Sequence, residues 1–345
     1  MDRKPTIIDV AQAAGVSIKT VSRVINNERY VSDDTRVRVR QAIAELGFEA
    51  NVAARDMRGQ VQRTHLIAQL YGDPGGVYTS DIQVGLLERC RYFGYHLLVE
   101  ELDYQSPDVE RRLSNLLRRY RFDGAVLTAP LTDNAAVLAA LDAAGIPFVC
   151  VTPVHARADT PSVSTDERKA AYQLTQHLLS YGHRRIGFLR GLPNHAATQL
   201  RMAGFAQAMA EAGAPVDPGL IEDGNFRYFT ALPCAQRLLS RPDRPTAIFA
   251  SNDEMAAAVL KVAHEMEFSL PGDLSVVGFD DVPASEMLWP PLTTVRQPVQ
   301  KLGAAAADLL FARLSPLGTG TWPSPVPRLI LQHDVVLRGS TAAAR

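Results

Sequence analysis

An all-α head of roughly sixty residues, followed by an α/β body of two doubly wound parallel sheets, is the fold class the sequence predicts. Three observations carry it. Between residues 7 and 46 the apolar residues recur at helical spacing, with no unbroken run that reads as a strand. From about Leu66 short continuous apolar runs alternate with amphipathic stretches, the pattern of parallel strands covered by helices on both faces. At 345 residues the chain also exceeds one small domain, so two or three compact units are expected.

In the head, Val10, Ala13 and Ala14 are expected on one face of a first short helix, which Gly15 stops with a left-handed turn. Ser17 can cap a second helix, with Val21 and Val24 turned back toward the first and Ile18, Lys19, Thr20 and Arg23 facing outward. Two short helices joined by a glycine turn form a helix-turn-helix, whose second helix enters the major groove of double-stranded DNA. A third helix is expected from about Asp33 to Leu46, opened by Ser32-Asp33-Asp34, with Val37, Ile43 and Leu46 as its apolar stripe and Gly47 at its end. Arg36, Arg38 and Arg40 decorate its solvated face. The run Ala50 to Gly59 has good helix propensity but little to bury, so it is a marginal helix that forms only against a partner.

In the body, strands are expected at 66–70, 97–99, 124–127, 147–151, 185–189, 247–250 and 274–278. Helices are expected near 81–94, 108–120, 134–144, 167–182, 199–213, 230–240 and 253–267. Seven or more strands suit two doubly wound halves, whose ligands sit beyond the carboxyl ends of the strands in one shared cleft. Pro323, Pro325 and Pro327 mark an extended surface connection, and Gly339 to Arg345 reads as a frayed tail.

Composition narrows the function classes. Hydrophobic residues make up 46% and charged residues 21% of the chain, ordinary for a soluble globular protein. No apolar run approaches the roughly 20 residues that span a bilayer, so no membrane partner is expected. Met1-Asp2-Arg3-Lys4-Pro5 leads into a polar helix rather than an apolar signal core, which points to the cytoplasm. Cys90, Cys150 and Cys234 are widely spaced in apolar contexts and are expected as buried free thiols. A net charge of −1 excludes a generally basic coat for nucleic acid, so DNA affinity must come from the head. No HExxH, GxSxG or Walker lysine occurs, and neither catalysis, a cofactor nor a metal is expected.

Six blocks occur in one order: Asp9-Val10-Ala11 through Asn26, Val31-Ser32-Asp33-Asp34-Thr35-Arg36, Tyr181-Gly182-His183-Arg184-Arg185-Ile186, Ser251-Asn252-Asp253-Glu254-Met255-Ala256, Val277-Gly278-Phe279-Asp280-Asp281 and Pro290-Pro291-Leu292-Thr293-Thr294-Val295. In that order they resemble the LacI/GalR family of bacterial transcription regulators, and the likeness runs over nearly the whole chain. It implies a DNA-binding head at 1–49, a hinge helix and linker at 50–63, and an effector-binding and dimerisation body at 64–345. The body is then two-lobed and periplasmic-binding-protein-like, lobe one spanning about 64–165 and 298–324 and lobe two about 166–294 and 326–340.

In the head the resemblance implies that Ile18, Lys19 and Arg23 touch base edges, with Tyr30 at another groove-facing position. Lys19 and Arg23 can donate to guanine, whereas Ile18 offers only apolar contact, for instance to a thymine methyl. Thr6, Ser17, Thr20, Ser22 and Asn26 would bind phosphates and fix register without reading sequence. Helix capping is the plainer role for Thr6 and Ser17, and an ion pair with Glu28 the plainer role for Arg23. In the hinge, Met57 stands at the minor-groove wedge position where leucine is usual, with Asn51, Ala54 and Arg58 beside it. Packing against the effector domain is the alternative for Met57.

In the body, Arg201, Asn252 and Asp280 match effector-contacting positions, and together they can pair with adjacent hydroxyls. Phe226 stands where the family often has an aromatic, able to cover an apolar ring face. Tyr78 and Gln297, the latter at the lobe crossing, are further candidates. The structural alternatives are a turn cap for Asp280, a helix cap for Asn252 and a surface ion pair for Arg201. Thr128 and Thr152 replace the Asn or Asp that relatives can carry in lobe one. Trp289 can line the cleft or pack between lobes. The expected protein is a dimeric regulator, by family habit a repressor, that binds a palindromic operator under control of a carbohydrate effector. A nucleobase effector and a periplasmic-type solute-binding protein are the alternatives.

Overall fold

The computed structural model describes residues 5–25, 31–46, 63–72, 77–193, 195–315 and 321–345. Asn26, Tyr30, Asn51, Ala54, Met57 and Arg58 lie outside these residues, as do Glu28 and Gly47. The chain divides into two units, Met1–Arg63 and Thr64–Arg345.

The first unit carries α1 (Ile7–Ala14), α2 (Ile18–Ile25) and α3 (Asp33–Leu46). Gly15 ends α1 at φ 63°, a backbone state that a side chain would strain. The core joins Val10, Ala11 and Ala14 of α1 to Val21 and Val24 of α2 and Val39 and Ala42 of α3. Two sequence expectations are corrected here. Ala11 is buried and Ala13 exposed, because the inward row of α1 runs 7, 10, 11, 14. In α3 the stripe is Val39, Ala42 and Ile43, while Val37 and Leu46 are exposed.

The second unit begins with β1 (Leu66–Tyr71), α4 (Val77–Phe93), β2 (His96–Glu101), α5 (Val109–Arg119), β3 (Gly124–Thr128), α6 (Ala135–Ala143), β4 (Phe148–Val151) and β5 (Ser162–Thr165). There follow α7 (Glu167–Ser180), β6 (Ile186–Arg190), α8 (Ala196–Glu211), β7 (Ile221–Asp223), α9 (Tyr228–Leu239), β8 (Ala247–Ala250), α10 (Asp253–Glu265), β9 (Ser275–Val277), α11 (Ala284–Met287) and β10 (Thr294–Arg296). The chain ends with α12 (Val299–Leu314), β11 (Arg328–Leu331) and β12 (Asp334–Val336).

One parallel sheet has the order β11-β5-β4-β3-β1-β2 and the other β7-β6-β8-β9, while β10 and β12 form an antiparallel pair. The central strands β3, β4 and β8 are buried along their whole length, as their unbroken apolar runs require. In the first lobe α4 and α12 cover one face and α5 and α6 the other. In the second, α7 and α8 lie opposite α9 and α10.

The chain crosses between lobes three times: after Thr165, at Gln297-Pro298, and between β11 and β12. Residues 328–331, placed by the sequence in lobe two, instead pair with β5 as the edge of the first sheet, so the last crossing falls at 332–333. The tail is seated rather than frayed. Ser340 Oγ donates to Val276 O at 2.6 Å, and Ala342 N donates to Ser275 Oγ at 3.0 Å. Trp289 neither lines the cleft nor packs between lobes; it is 89% exposed. Among the described residues, no helix is long and apolar enough to cross a membrane. Cys90, Cys150 and Cys234 are free and buried, and burial pushes the Cys90 and Cys150 thiols up to about 12.

Candidate functional site

In the first unit the outward face of α2 begins with Ile18, 47% exposed, and Lys19, also exposed, where the helix N-terminus opens to solvent. An isoleucine left in water at that place has no packing role, whereas Val21 and Val24 on the opposite side fill the core. Ser17 accepts from Thr20 N at 3.1 Å, and its hydroxyl lies 2.9 Å from that of Thr20. At the head of α1, Asp9 Oδ2 accepts from both Thr6 N and Thr6 Oγ1 at 2.6 Å. Thr6 and Ser17 therefore perform the capping role, with Thr20 as the residue that Ser17 caps. Ser22 and Arg23 are half-buried on the same helix.

In the second unit the body candidates form one linked cluster at the lobe crossings. Arg201, on the second turn of α8, is 3% exposed, so it is no surface ion pair. Its Nε donates to Glu167 Oε2 at 2.7 Å, its Nη1 donates to Ser251 O, and its Nη2 lies 3.5 Å from Asp280 Oδ1. The guanidinium stacks 3.7 Å from the Phe279 ring centroid and 5.8 Å from that of Phe226. Gln297 Nε2 donates to Asp280 Oδ1 at 2.8 Å, and Gln297 Oε1 accepts from Thr165 Oγ1 at 2.8 Å. One amide thus ties the first crossing to the second and to the loop after β9. Tyr78 OH lies 3.3 Å from Thr152 Oγ1 on the first-lobe side. Burial raises the Tyr78 phenol, with the Glu167 carboxylate adding to the effect.

Asn252 takes the structural role. Its Oδ1 caps α10 by accepting from Met255 N at 2.9 Å, and its Nδ2 donates to Phe226 O at 3.1 Å. One end of its amide thus caps α10 while the other holds the Phe226 carbonyl. Phe226 and Asn225 have φ of 60° and 55°, and Thr152, Asp280 and Asp281 also have positive φ. These five are among the seven described non-glycine residues in that strained state, so the strain concentrates at this cluster.

Electrostatics set the character of the cluster. Burial pushes Asp280 up to about 6 even though Arg201 beside it pulls the other way. For Arg201 burial opposes the charge, but Glu167 and Asp280 outweigh it and the pKa is raised. Asp253, at the start of α10, is pushed up to about 8 by burial and by Asp280, and it accepts from Thr294 Oγ1 at 2.6 Å and Val282 N at 2.9 Å. One guanidinium facing two carboxylates leaves no surplus positive charge. The residues that sequence reasoning missed are Glu167, Thr165 and Phe279. Glu167 follows the Asp166 cap, where a carboxylate in a first helical turn reads as dipole compensation; only its 1% exposure reveals the buried pair. Thr128 is buried at the end of β3, and its Oγ1 has no hydrogen-bond partner. Among the described residues no group of three His, Cys, Asp or Glu side chains could hold a metal.

Residues 6–51 match the bacterial regulatory proteins of the lacI family, and residues 175–341 match the periplasmic binding protein-like domain. The chain is 36% identical over 303 residues to the HTH-type transcriptional regulator DegA of Bacillus subtilis (strain 168), covering 87% of this chain and 89% of that one. Among solved structures, a complex of the transcriptional regulator CelR with cellobiose is similar at a TM-score of 0.73 and 31% identity, over 97% of this chain and 99% of the other. The lac repressor dimer bound to operator and the anti-inducer ONPF is similar at a TM-score of 0.73 and 27% identity, over 99% and 100%.

Proposed function

The chain belongs to the LacI family of bacterial regulatory proteins, and on that premise we propose that it is a cytoplasmic, dimeric repressor whose hold on a palindromic operator is set by a neutral carbohydrate. It acts by binding rather than by catalysis. The lac repressor relative is a dimer on its operator, and the CelR relative holds cellobiose. The observation that carries the effector reading is the cluster of Arg201, Asp280 and Gln297, with the Phe226 ring 5.8 Å from the Arg201 guanidinium. It offers donors, an acceptor and an apolar face together, the set that a hydroxylated ring requires. Its balance of one cation against two carboxylates disfavours phosphorylated or carboxylated ligands. Phe226 can equally stack on a planar base, which keeps a nucleobase as the second reading.

In the mechanism, Ile18, Lys19 and Arg23 read base edges while Ser22 and the hydroxyls of Thr6, Ser17 and Thr20 face phosphates. Gln297 and Thr165 lie on two of the crossings that any change in lobe angle must bend. An effector that pulls on Asp280 and Gln297 therefore biases the hinge directly, shifting the population able to grip DNA. The test is a mobility-shift titration on a palindromic operator, run with and without sugars chosen by a thermal-shift screen. Operator binding that one neutral sugar alters is the expected result. Absence of any operator preference, with or without ligand, sinks the regulator reading and favours a solute-binding protein. A response only to nucleobases replaces the carbohydrate.

A further inference from the structure

The outer surface of α5 carries a run of exposed arginines. Arg112, Arg118, Arg119 and, just beyond the helix, Arg121 are all exposed, and among the described residues none has a carboxylate within 4.0 Å. Arg118 Nη2 donates only to the Asn115 amide, and Arg119 lies over the Tyr120 ring at 5.1 Å. Several cations elsewhere in the body are matched instead: Arg89 with Asp308, Arg157 with Asp142 and Asp159, Arg190 with Asp223, Arg237 with Glu222 and Arg296 with Asp281. In a chain of net charge −1, an unmatched run of arginines is a local feature.

Its place in the chain is specific. The α5 helix runs back against the strands, so Arg118, Arg119 and Arg121 stand at the edge where β1 and β3 begin. Asp123, two residues beyond Arg121, accepts from Thr64 N at 2.9 Å, Thr64 Oγ1 at 3.0 Å and His65 N at 3.0 Å. Thr64 is the first residue of the second unit. Arg121 therefore stands two residues from the carboxylate that seats the chain where it arrives from the helix-turn-helix unit, with Arg118 and Arg119 at the same edge of the sheet. The link from Leu46 to Thr64 can reach on the order of 60 Å at full stretch, and about 25 Å if helical. That link joins the patch to the unit whose recognition helix enters a groove of a polyanion carrying one charge per about 1.7 Å. Macrodipole compensation accounts for Arg118 and Arg119 in the last turn of α5, but not for Arg121 outside it.

We infer that Arg118, Arg119 and Arg121 form an auxiliary binding site for the DNA phosphate backbone on the body itself, at the root of the link to the helix-turn-helix unit. The inference rests on DNA binding by this chain and goes beyond the base-reading helix. Guanidinium–phosphate pairing of this kind adds affinity and fixes position without reading sequence. It also releases counterions, so it is visible in the salt dependence of binding.

The experiment compares the full-length wild type with R118Q/R119Q/R121Q on operator and on random duplex DNA between 50 and 200 mM salt. The expected result is a shallower dependence of log K on log salt, by about 0.9 for each phosphate no longer neutralised. Affinity for the two DNAs should fall by the same factor, leaving the specificity ratio, the effector affinity and the thermal midpoint unchanged. R118K/R119K/R121K should restore most of the slope. An unchanged slope overturns the inference, and if regulation in cells is nevertheless lost, the patch serves an acidic protein surface instead. A fall in the specificity ratio overturns it too. Because the slope is also read on random duplex, this result is decided separately from whether the operator is correctly identified.

Discussion

Arg201 is enclosed by Glu167, Ser251 and Asp280, and its near-total burial makes those partners obligatory. Removing one member of such a pair strands a buried charge at a cost of about 3–5 kcal/mol. The effector is therefore best met through the more exposed Asp280 and through Gln297, with Arg201 keeping Asp280 oriented. Asp280 titrates at about 6, and its ionised form is the better acceptor for an effector hydroxyl. Effector affinity should then fall as pH drops from 7 to 5, with a midpoint near 6. Asp280→Asn should bind weakly but without that pH dependence; isothermal titration across the range checks this, and a pH-independent wild type rejects it. On α2, Arg23→Ala should lose about 1–3 kcal/mol of discrimination between operator and random DNA, whereas Ser22→Ala should weaken both evenly. Competition binding distinguishes the two, and a preserved ratio in Arg23→Ala removes the base-reading role. Asp280 was legible from sequence because it sits in a recognisable block, and Arg201 because it matches a family position near the start of a helix. Glu167 was not, since nothing in Asp166-Glu167-Arg168 says which carboxylate turns inward. Asn252 was legible as a position but divided between two roles, and the hydrogen bonds show it as a cap that also anchors Phe226.

The Glu167–Arg201 pair exists because α7 and α8 come unusually close. A Cβ placed on Gly204 would lie 2.1 Å from Arg168 O and 2.9 Å from Tyr172 N, so only glycine permits the approach. Gly204 is one turn from Arg201 on α8. Gly204→Ala should therefore push the helices apart, lengthen the ion pair and destabilise the body by about 1–3 kcal/mol. Urea denaturation measures the loss, and a paired drop in effector affinity is expected; an unchanged midpoint rejects the packing account. Elements with continuous apolar runs, such as β3, β4 and β8, were readable from sequence because burial on both faces demands them. The short strands β5, β7 and β10 were not. They carry polar residues such as Ser162, Glu222 and Arg296, and tertiary pairing rather than local pattern makes them strands. The same cause misplaced β11, which pairs with β5 although the sequence beside it belongs with the second lobe. In the head, the helical period was readable but its phase was not fully so, as Ala13 and Val37 demonstrate.

At the scale of the whole molecule, one helix-turn-helix touches too few bases to select a site, and two must act together. The body must supply the surface that joins them. Three large apolar side chains of the second lobe, Phe229, Met287 and Trp289, are 83%, 82% and 89% exposed. Such exposure is costly for a protein that stays single and is expected of one that pairs with its own copy. Trp289 lies two residues beyond the end of α11, and Leu288 between them packs against the lobe core, so the indole is presented from a fixed backbone. Trp289→Glu should replace the exposed indole by a charge and leave the lobe core untouched. Sedimentation should show a dimer for the wild type and mostly monomer for the variant at micromolar concentration. Effector binding should persist in the variant, because every residue of the Arg201 cluster belongs to one chain. Operator affinity should fall steeply, toward that of a single head. A variant that stays dimeric places the pairing surface elsewhere on the body, and a monomer that keeps full operator affinity breaks the link between pairing and site selection.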